Sequence, residues 1–174
     1  DGGVVPGERG APVGRLLVTL QRTGLINNTI FVFASDHGEL LGDHAMFRKT
    51  SSLEGSAKLA LLASAPRRFE LQGGRLCDLP TTHMDLMPTL LDLAGLDVPD
   101  SVEGRSLVPA LRGEQDPDDW RPYVHGEHAR PGSELGGNQF LAGRKEKYTW
   151  FTRTGEEWLF DLDEDPQETV NLAE

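Results

Sequence analysis

Thr29-Ile-Phe-Val-Phe-Ala-Ser-Asp-His-Gly-Glu39 is the stretch from which the rest of the chain can be read. Thr29, Ile30, Phe31, Val32 and Phe33 are β-branched or aromatic, with no polar residue between them. Such a run suits a central strand covered on both faces, because an alternating pattern is expected only where one face meets water. In open α/β sheets the crevice beyond the carboxyl ends of the strands is where ligands collect, and Ser35, Asp36 and His37 fall there. A carboxylate beside an imidazole at a strand tip can be half of a metal site, whereas an Asp standing there alone more often caps a turn or the next helix.

On the N-terminal side, Val13, Leu16, Leu17 and Leu20 recur at helical spacing, with Pro12 near the start and Gly24 just past the end. This predicts an amphipathic helix that feeds the strand. Residues 1–10, with four glycines and a proline, read as a loop or a cut end. On the C-terminal side, Leu59 to Ser64 reads as a second buried strand closed by Pro66. Asp85 to Ala94 reads as a helix capped by Gly95, with Pro88 in its first turn where the missing N–H costs little. Residues 103–122 read as a charged loop. Beyond them, Tyr123–Glu127, Asn138–Gly143, Tyr148–Thr152 and Trp158–Phe160 are short strands separated by turns, the pattern of an antiparallel sheet. The fold class is therefore α/β, a mixed sheet with flanking helices in residues 1–112, followed by a small antiparallel C-terminal subdomain in residues 113–174. No internal repeat or low-complexity tract interrupts it.

Composition sets outer limits. The chain has 174 residues, 37% hydrophobic and 26% charged, which suits one soluble domain with a sizeable core. Its formal net charge is −11. That disfavours attraction to nucleic acid or to anionic membranes, so no nucleic-acid partner is expected and an anionic substrate needs a local cation. No apolar run approaches the roughly 20 residues that span a bilayer, and no basic segment followed by an apolar one opens the sequence. The single cysteine, Cys77, has no partner for an internal disulfide and reads as a small buried side chain. One thiol does not separate one compartment from another, so localisation is left open.

Four segments, in order, resemble the sulfatases of the alkaline phosphatase superfamily. They are Ser35-Asp-His-Gly-Glu-Leu-Leu-Gly-Asp-His44 with Lys49, Asp85-Leu-Met-Pro-Thr-Leu-Leu-Asp-Leu-Ala-Gly95, Glu103-Gly-Arg-Ser-Leu107, and Leu159-Phe-Asp-Leu-Asp-Glu-Asp-Pro-Gln-Glu168 with Asn171-Leu172. Any one of them is a weak signal, whereas the ordered set is specific. The resemblance implies an alkaline-phosphatase-like α/β core and metal-assisted hydrolysis of a sulfate ester. It implies Asp36 and His37 as metal ligands and Lys49 as the cation that binds the sulfate group. The implied cofactor is a divalent ion, Ca²⁺ first, with Mg²⁺ or Mn²⁺ as alternatives. Many members have Asn where His37 stands here, and imidazole widens the choice of metal.

The resemblance matches the C-terminal part of that family. The family's nucleophile is a formylglycine made from Cys or Ser in a Cys/Ser-x-Pro-x-Arg motif, and two further metal-binding aspartates lie near its N-terminus; neither feature occurs in this sequence. In Leu76-Cys-Asp-Leu-Pro80 the proline follows one residue too late and no Arg follows it. The expected reading is a fragment of a longer enzyme, inactive alone, whose partners are a sulfate ester and the N-terminal part of the same protein. After Lys49 the family usually continues with an aromatic-Glu segment and Arg-Val-Pro, whereas here Glu54 keeps its place and Lys58 supplies only the charge. A phosphodiesterase or phosphonate monoester hydrolase of the same superfamily remains an alternative, as does a non-catalytic domain that binds a partner or anion. Lys49 favours a sulfatase over a two-metal phosphatase.

The remaining candidates have structural readings. His44 is expected either to belong to the site or to hydrogen-bond to backbone, Glu39 and Asp43 to be solvated or to lie behind the ligands, and His83 to cap or pack at the helix start. His125 and His128, three residues apart on a strand, face opposite ways and read as structural or substrate-rim residues. Trp120, Trp150 and Trp158 are expected in the core of the C-terminal sheet.

Overall fold

The computed structural model describes residues 11–129 and 136–173; the loop or cut end expected over residues 1–10 lies outside them. Helix α1, Ala11–Arg22, is ended by Gly24 in the left-handed region at φ 73°. A single 3₁₀ turn then leads into strand β1, Phe31–Ala34. β1 pairs antiparallel with β2, Leu61–Ser64, in the register Phe31 to Ser64 and Ala34 to Leu61. Between them lie the loop that carries Asp36, His37 and Lys49 and the short helix α2, Glu54–Ala57.

Both strands were expected to be buried, and they are not. Every residue of β2 is exposed, Phe33 of β1 is exposed, and so are Val13, Leu16 and Val18 of α1. An unbroken apolar strand needs a layer on each face, and the described residues supply neither.

The next element is helix α3, Leu86–Leu93. Its entry turn is closed reciprocally: the Thr82 hydroxyl accepts the Met84 N–H and the Asp85 carboxylate accepts the Thr82 N–H at 2.8 Å. Pro88 is the third helical residue, where no intrahelical donor is lost. Asp85 is fully buried and also accepts the Arg105 N–H at 2.8 Å and Arg121 Nη2 at 2.6 Å. One carboxylate therefore ties α3 to two later stretches of chain. The segment read as a loop over residues 103–122 in fact contains helix α4, Val108–Arg112. Its five residues are too few for a helical period to show in sequence. Ala110 of α4 and Leu107, the residue before the helix, pack against Leu79 and Trp120, whose indole N–H donates to the Pro80 carbonyl at 2.8 Å.

Strands β3 (Val124–His128), β4 (Asn138–Ala142), β5 (Glu146–Phe151) and β6 (Glu157–Asp161) form an antiparallel meander, each paired with the next. This is the sheet expected from the turn spacing. Of the three tryptophans expected in its core, Trp158 packs there and the other two do not. Trp120 belongs to the α4 cluster, Trp150 is 39% exposed on the outer face, and Trp158 packs edge-on against Phe151 at 4.5 Å between ring centroids. The period of β5 is the reason: Lys147, Thr149 and Phe151 take the buried face, so Trp150 must point away. A second core cluster, Leu40, Leu53 and Phe160, with Met46, Trp158 and Leu162 packed on it, joins this sheet to the loop after β1. Among the described residues no helix is long and apolar enough to cross a membrane.

Candidate active site

Asp36 and His37 leave the tip of β1 together, just after Ser35. The tip is pinned to the residue before β2: Ser35 N–H donates to the Ala60 carbonyl at 3.1 Å, and Ala60 N–H donates to Ser35 Oγ at 3.2 Å. Asp36 Oδ1 accepts the His37 N–H at 3.0 Å. The His37 ring places Nδ1 2.7 Å from the Gly38 carbonyl. A carbonyl only accepts, so Nδ1 carries the hydrogen and the neutral ring keeps its lone pair on Nε2. That Nε2 lies 3.6 Å from Asp36 Oδ2. A metal-binding imidazole is commonly oriented in this way, by giving its other N–H to a backbone carbonyl.

Asp36 is open to solvent, its side chain 88% exposed. Its carboxyl is held below the ordinary carboxylate range, first by the charge His37 carries when protonated, then by hydrogen bonds from its own backbone and that of His37, with Lys49 acting in the same direction. A cation between Asp36 and His37 would act on the carboxylate as the imidazolium does. One oxygen and one nitrogen donor suit a divalent ion, but they are only part of a coordination shell. Among the described residues no group of three or more His, Cys, Asp or Glu side chains gathers into a metal site. The pair fits as half of a centre.

Lys49 closes a tight loop. Its carbonyl accepts Ser56 Oγ–H at 2.7 Å, and Gly38 N–H donates to the Ser56 carbonyl at 2.9 Å, so α2 holds both ends of the candidate site. A Cβ on Gly38 would stand 2.1 Å from the Gly55 carbonyl oxygen, which explains the glycine after His37. Glu39, expected to be solvated or behind the ligands, accepts the Arg48 N–H at 2.5 Å and stitches the loop across its mouth. Leu41, His44, Ala45 and Arg48 all have positive φ, between 51° and 72°, so four non-glycine residues here sit in the left-handed region. His44 hydrogen-bonds to backbone as expected, with Nε2 2.9 Å from the Gln167 carbonyl.

His83 does more than sit at the helix start. Thr82 is the cap, and His83 Nε2 reaches across to the Ser35 carbonyl at 2.8 Å, one residue before Asp36. Cys77, expected to be buried, is exposed, in a coil where the neighbouring Leu76 is also bare. Glu54 takes two partners that sequence reasoning did not identify as a set. Burial alone would raise its carboxyl, but the Lys147 ammonium, and Lys58 at 3.0 Å, bring it below the ordinary range. The two carboxylate partners of Lys147, Glu54 and Glu168, lie far from it in sequence, and only the fold brings them together.

Residues 42–174 match the family described as N-sulphoglucosamine sulphohydrolase, C-terminal. An arylsulfatase of Clostridium perfringens is 44% identical over 162 residues, covering 92% of this chain and 32% of the relative. Among solved structures, a protein in complex with its substrate D-glucosamine-2-N,6-O-disulfate matches with a TM-score of 0.79 at 30% identity, over 92% of this chain and 33% of that one. A phosphonate monoester hydrolase of Agrobacterium radiobacter matches with a TM-score of 0.78 at 30% identity, over 92% of this chain and 34% of that one. The chain thus spans about a third of the length of the proteins it matches.

Proposed function

The chain belongs to the N-sulphoglucosamine sulphohydrolase C-terminal family, and from that membership we propose that it is the C-terminal part of a sulfuric ester hydrolase whose metal is held in part by Asp36 and His37. The observation that carries the reading is the His37 ring. With Nδ1 tied to the Gly38 carbonyl, Nε2 is presented beside Asp36 Oδ2 at 3.6 Å, and Lys49 lies near enough to act on the same carboxylate. Asp36 and His37 would supply one anionic and one neutral donor to a divalent ion, Ca²⁺ first, with Mg²⁺ or Mn²⁺ as alternatives. When bound, that ion offsets charge developing on the transferring oxyanion. Lys49 would meet the sulfate as a point charge, which an acidic protein needs to admit an anionic ester.

The remaining ligands and the formylglycine nucleophile would come from the N-terminal part of the same enzyme. The bare apolar faces of α1, β1 and β2 are where that part would pack. This chain alone should then release no phenol from an aryl sulfate above background.

The second reading, a phosphonate monoester hydrolase, is favoured by the matching Agrobacterium structure. Turnover of an aryl sulfate and of an aryl phosphonate monoester by the full-length protein separates the two. A higher kcat/KM for the sulfate supports the first reading, a higher value for the phosphonate supports the second, and no metal-dependent turnover of either refutes both.

A further inference from the structure

Lys147 projects from β5 into the interface between the C-terminal sheet and α2, and it is 1% exposed. Its ammonium lies 2.5 Å from Glu54 Oε1 and 3.1 Å from Glu168 Oε1. Glu168 is itself buried and turns its other oxygen to the Glu54 N–H at 2.6 Å, so it satisfies the first N–H of α2. Beside this cluster Thr149 Oγ1 donates to Ser52 Oγ at 2.9 Å, also buried. Burying an ammonium and two carboxylates is costly unless each finds its partner, so this cluster is held in one arrangement.

That arrangement reaches the candidate site. α2 is the element whose Ser56 side chain holds the Lys49 carbonyl and whose Ser56 carbonyl holds the Gly38 N–H, and the Gly38 carbonyl in turn orients His37. Gly38 and Gly55 pack backbone to backbone, so a displacement of α2 is passed to the loop without slack. We infer that Lys147 is a positioning residue: through Glu54 and Glu168 it fixes α2, and through α2 it sets where Lys49 and His37 stand. The C-terminal sheet is then part of the site's scaffold. This inference deepens the functional reading above and rests on it for the roles of Lys49 and His37.

The test uses the full-length protein. Lys147→Met keeps the stem and removes the ammonium, while Glu168→Gln keeps an oxygen for the Glu54 N–H and removes one carboxylate charge. Hydrogen exchange read by mass spectrometry on peptides covering 35–41 and 49–58, with an α3 peptide as control, reports the brace directly. Exchange in the two site peptides should rise roughly tenfold in Lys147→Met and by less in Glu168→Gln, with α3 unchanged. Equal acceleration everywhere makes Lys147 a contributor to global stability only, and no acceleration removes the brace; either result overturns the inference. If Lys147→Met does not fold, Glu168→Gln carries the comparison. Turnover gives the second readout: kcat should fall roughly tenfold with a smaller change in KM. Faster exchange with unchanged kcat in an active enzyme also overturns it. If the wild type turns over neither ester, the functional reading fails, while the exchange data still decide whether the brace exists.

Discussion

Asp85→Ala is expected to cost about 4 kcal/mol of stability, the scale for breaking a buried charge pair by removing one partner. The carboxylate is fully buried, and Arg121, 2.6 Å away, has a side chain only 13% exposed. Removing it also orphans the Thr82 and Arg105 N–H groups, each donating at 2.8 Å. The Thr89 hydroxyl still bridges the Asp85 carbonyl and the Leu107 N–H, so α3 keeps one tie to the following loop and the loss stays below the sum of all contacts. With a urea m-value near 2 kcal/mol/M, the midpoint should drop by about 2 M. Tryptophan fluorescence reports it, because Trp120 sits between Arg121 and the α4 cluster. Combining Asp85→Ala with Arg121→Met should cost less than the sum of the single changes, since the second change removes the unpaired cation. A loss under about 1 kcal/mol at unchanged m, with additive double-variant energies, would refute the view of Asp85 as the tie between α3 and the rest of the chain.

Two further expectations concern stability. Ala45→Gly and Arg48→Gly relieve left-handed strain of about 1–2 kcal/mol each against a glycine entropy cost of about 0.4–1, so each should stabilise by roughly 0.5 kcal/mol and raise the denaturation midpoint; a lower midpoint for both would show that the loop conformation costs nothing. Glu54, Asp78 and Asp165 all have carboxyls held below their ordinary values, Glu54 by Lys147 against the opposing effect of burial, Asp78 by Arg144, and Asp165 by the Val170 N–H. Their contribution is therefore full above the ordinary carboxylate pKa near 4 and is lost as pH falls through the depressed values, with Asp78 contributing little because its ion pair is exposed. Denaturation midpoints that stay flat from pH 6 to pH 3 would contradict this.

What was legible in the sequence was local. Asp36 and His37 are adjacent, so one strand tip necessarily carries both, and α3 and the meander follow from caps and turn spacing over a few residues. Glu54 stands 93 residues before Lys147 and Glu168 stands well after it, in the next turn beyond β6, and nothing in a local period links the three. β5 also misled in a particular way: its aromatic Tyr148 and Trp150 share the outer face while Lys147 and Thr149 go inward. Hydrophobicity alone assigns the faces the other way round, and the buried ammonium is tolerated only because two distant carboxylates meet it. The apolar run of β1 reads correctly as a strand, but composition alone does not show whether a layer covers it, and among the described residues Phe33 stays exposed.

Metal content and kinetics of the full-length protein with Asp36→Ala and with Lys49→Ala test the central claim most directly. On the proposed assignment Asp36→Ala removes an anionic ligand, and it should cost most of the bound metal together with roughly a hundredfold or more in kcat. Lys49→Ala should keep the metal at the wild-type level while KM for the sulfate ester rises and kcat falls, since the proposal has its charge meet the substrate rather than the ion. An Asp36→Ala protein that retains both its metal and its rate would contradict the reading of the β1 tip as the metal site.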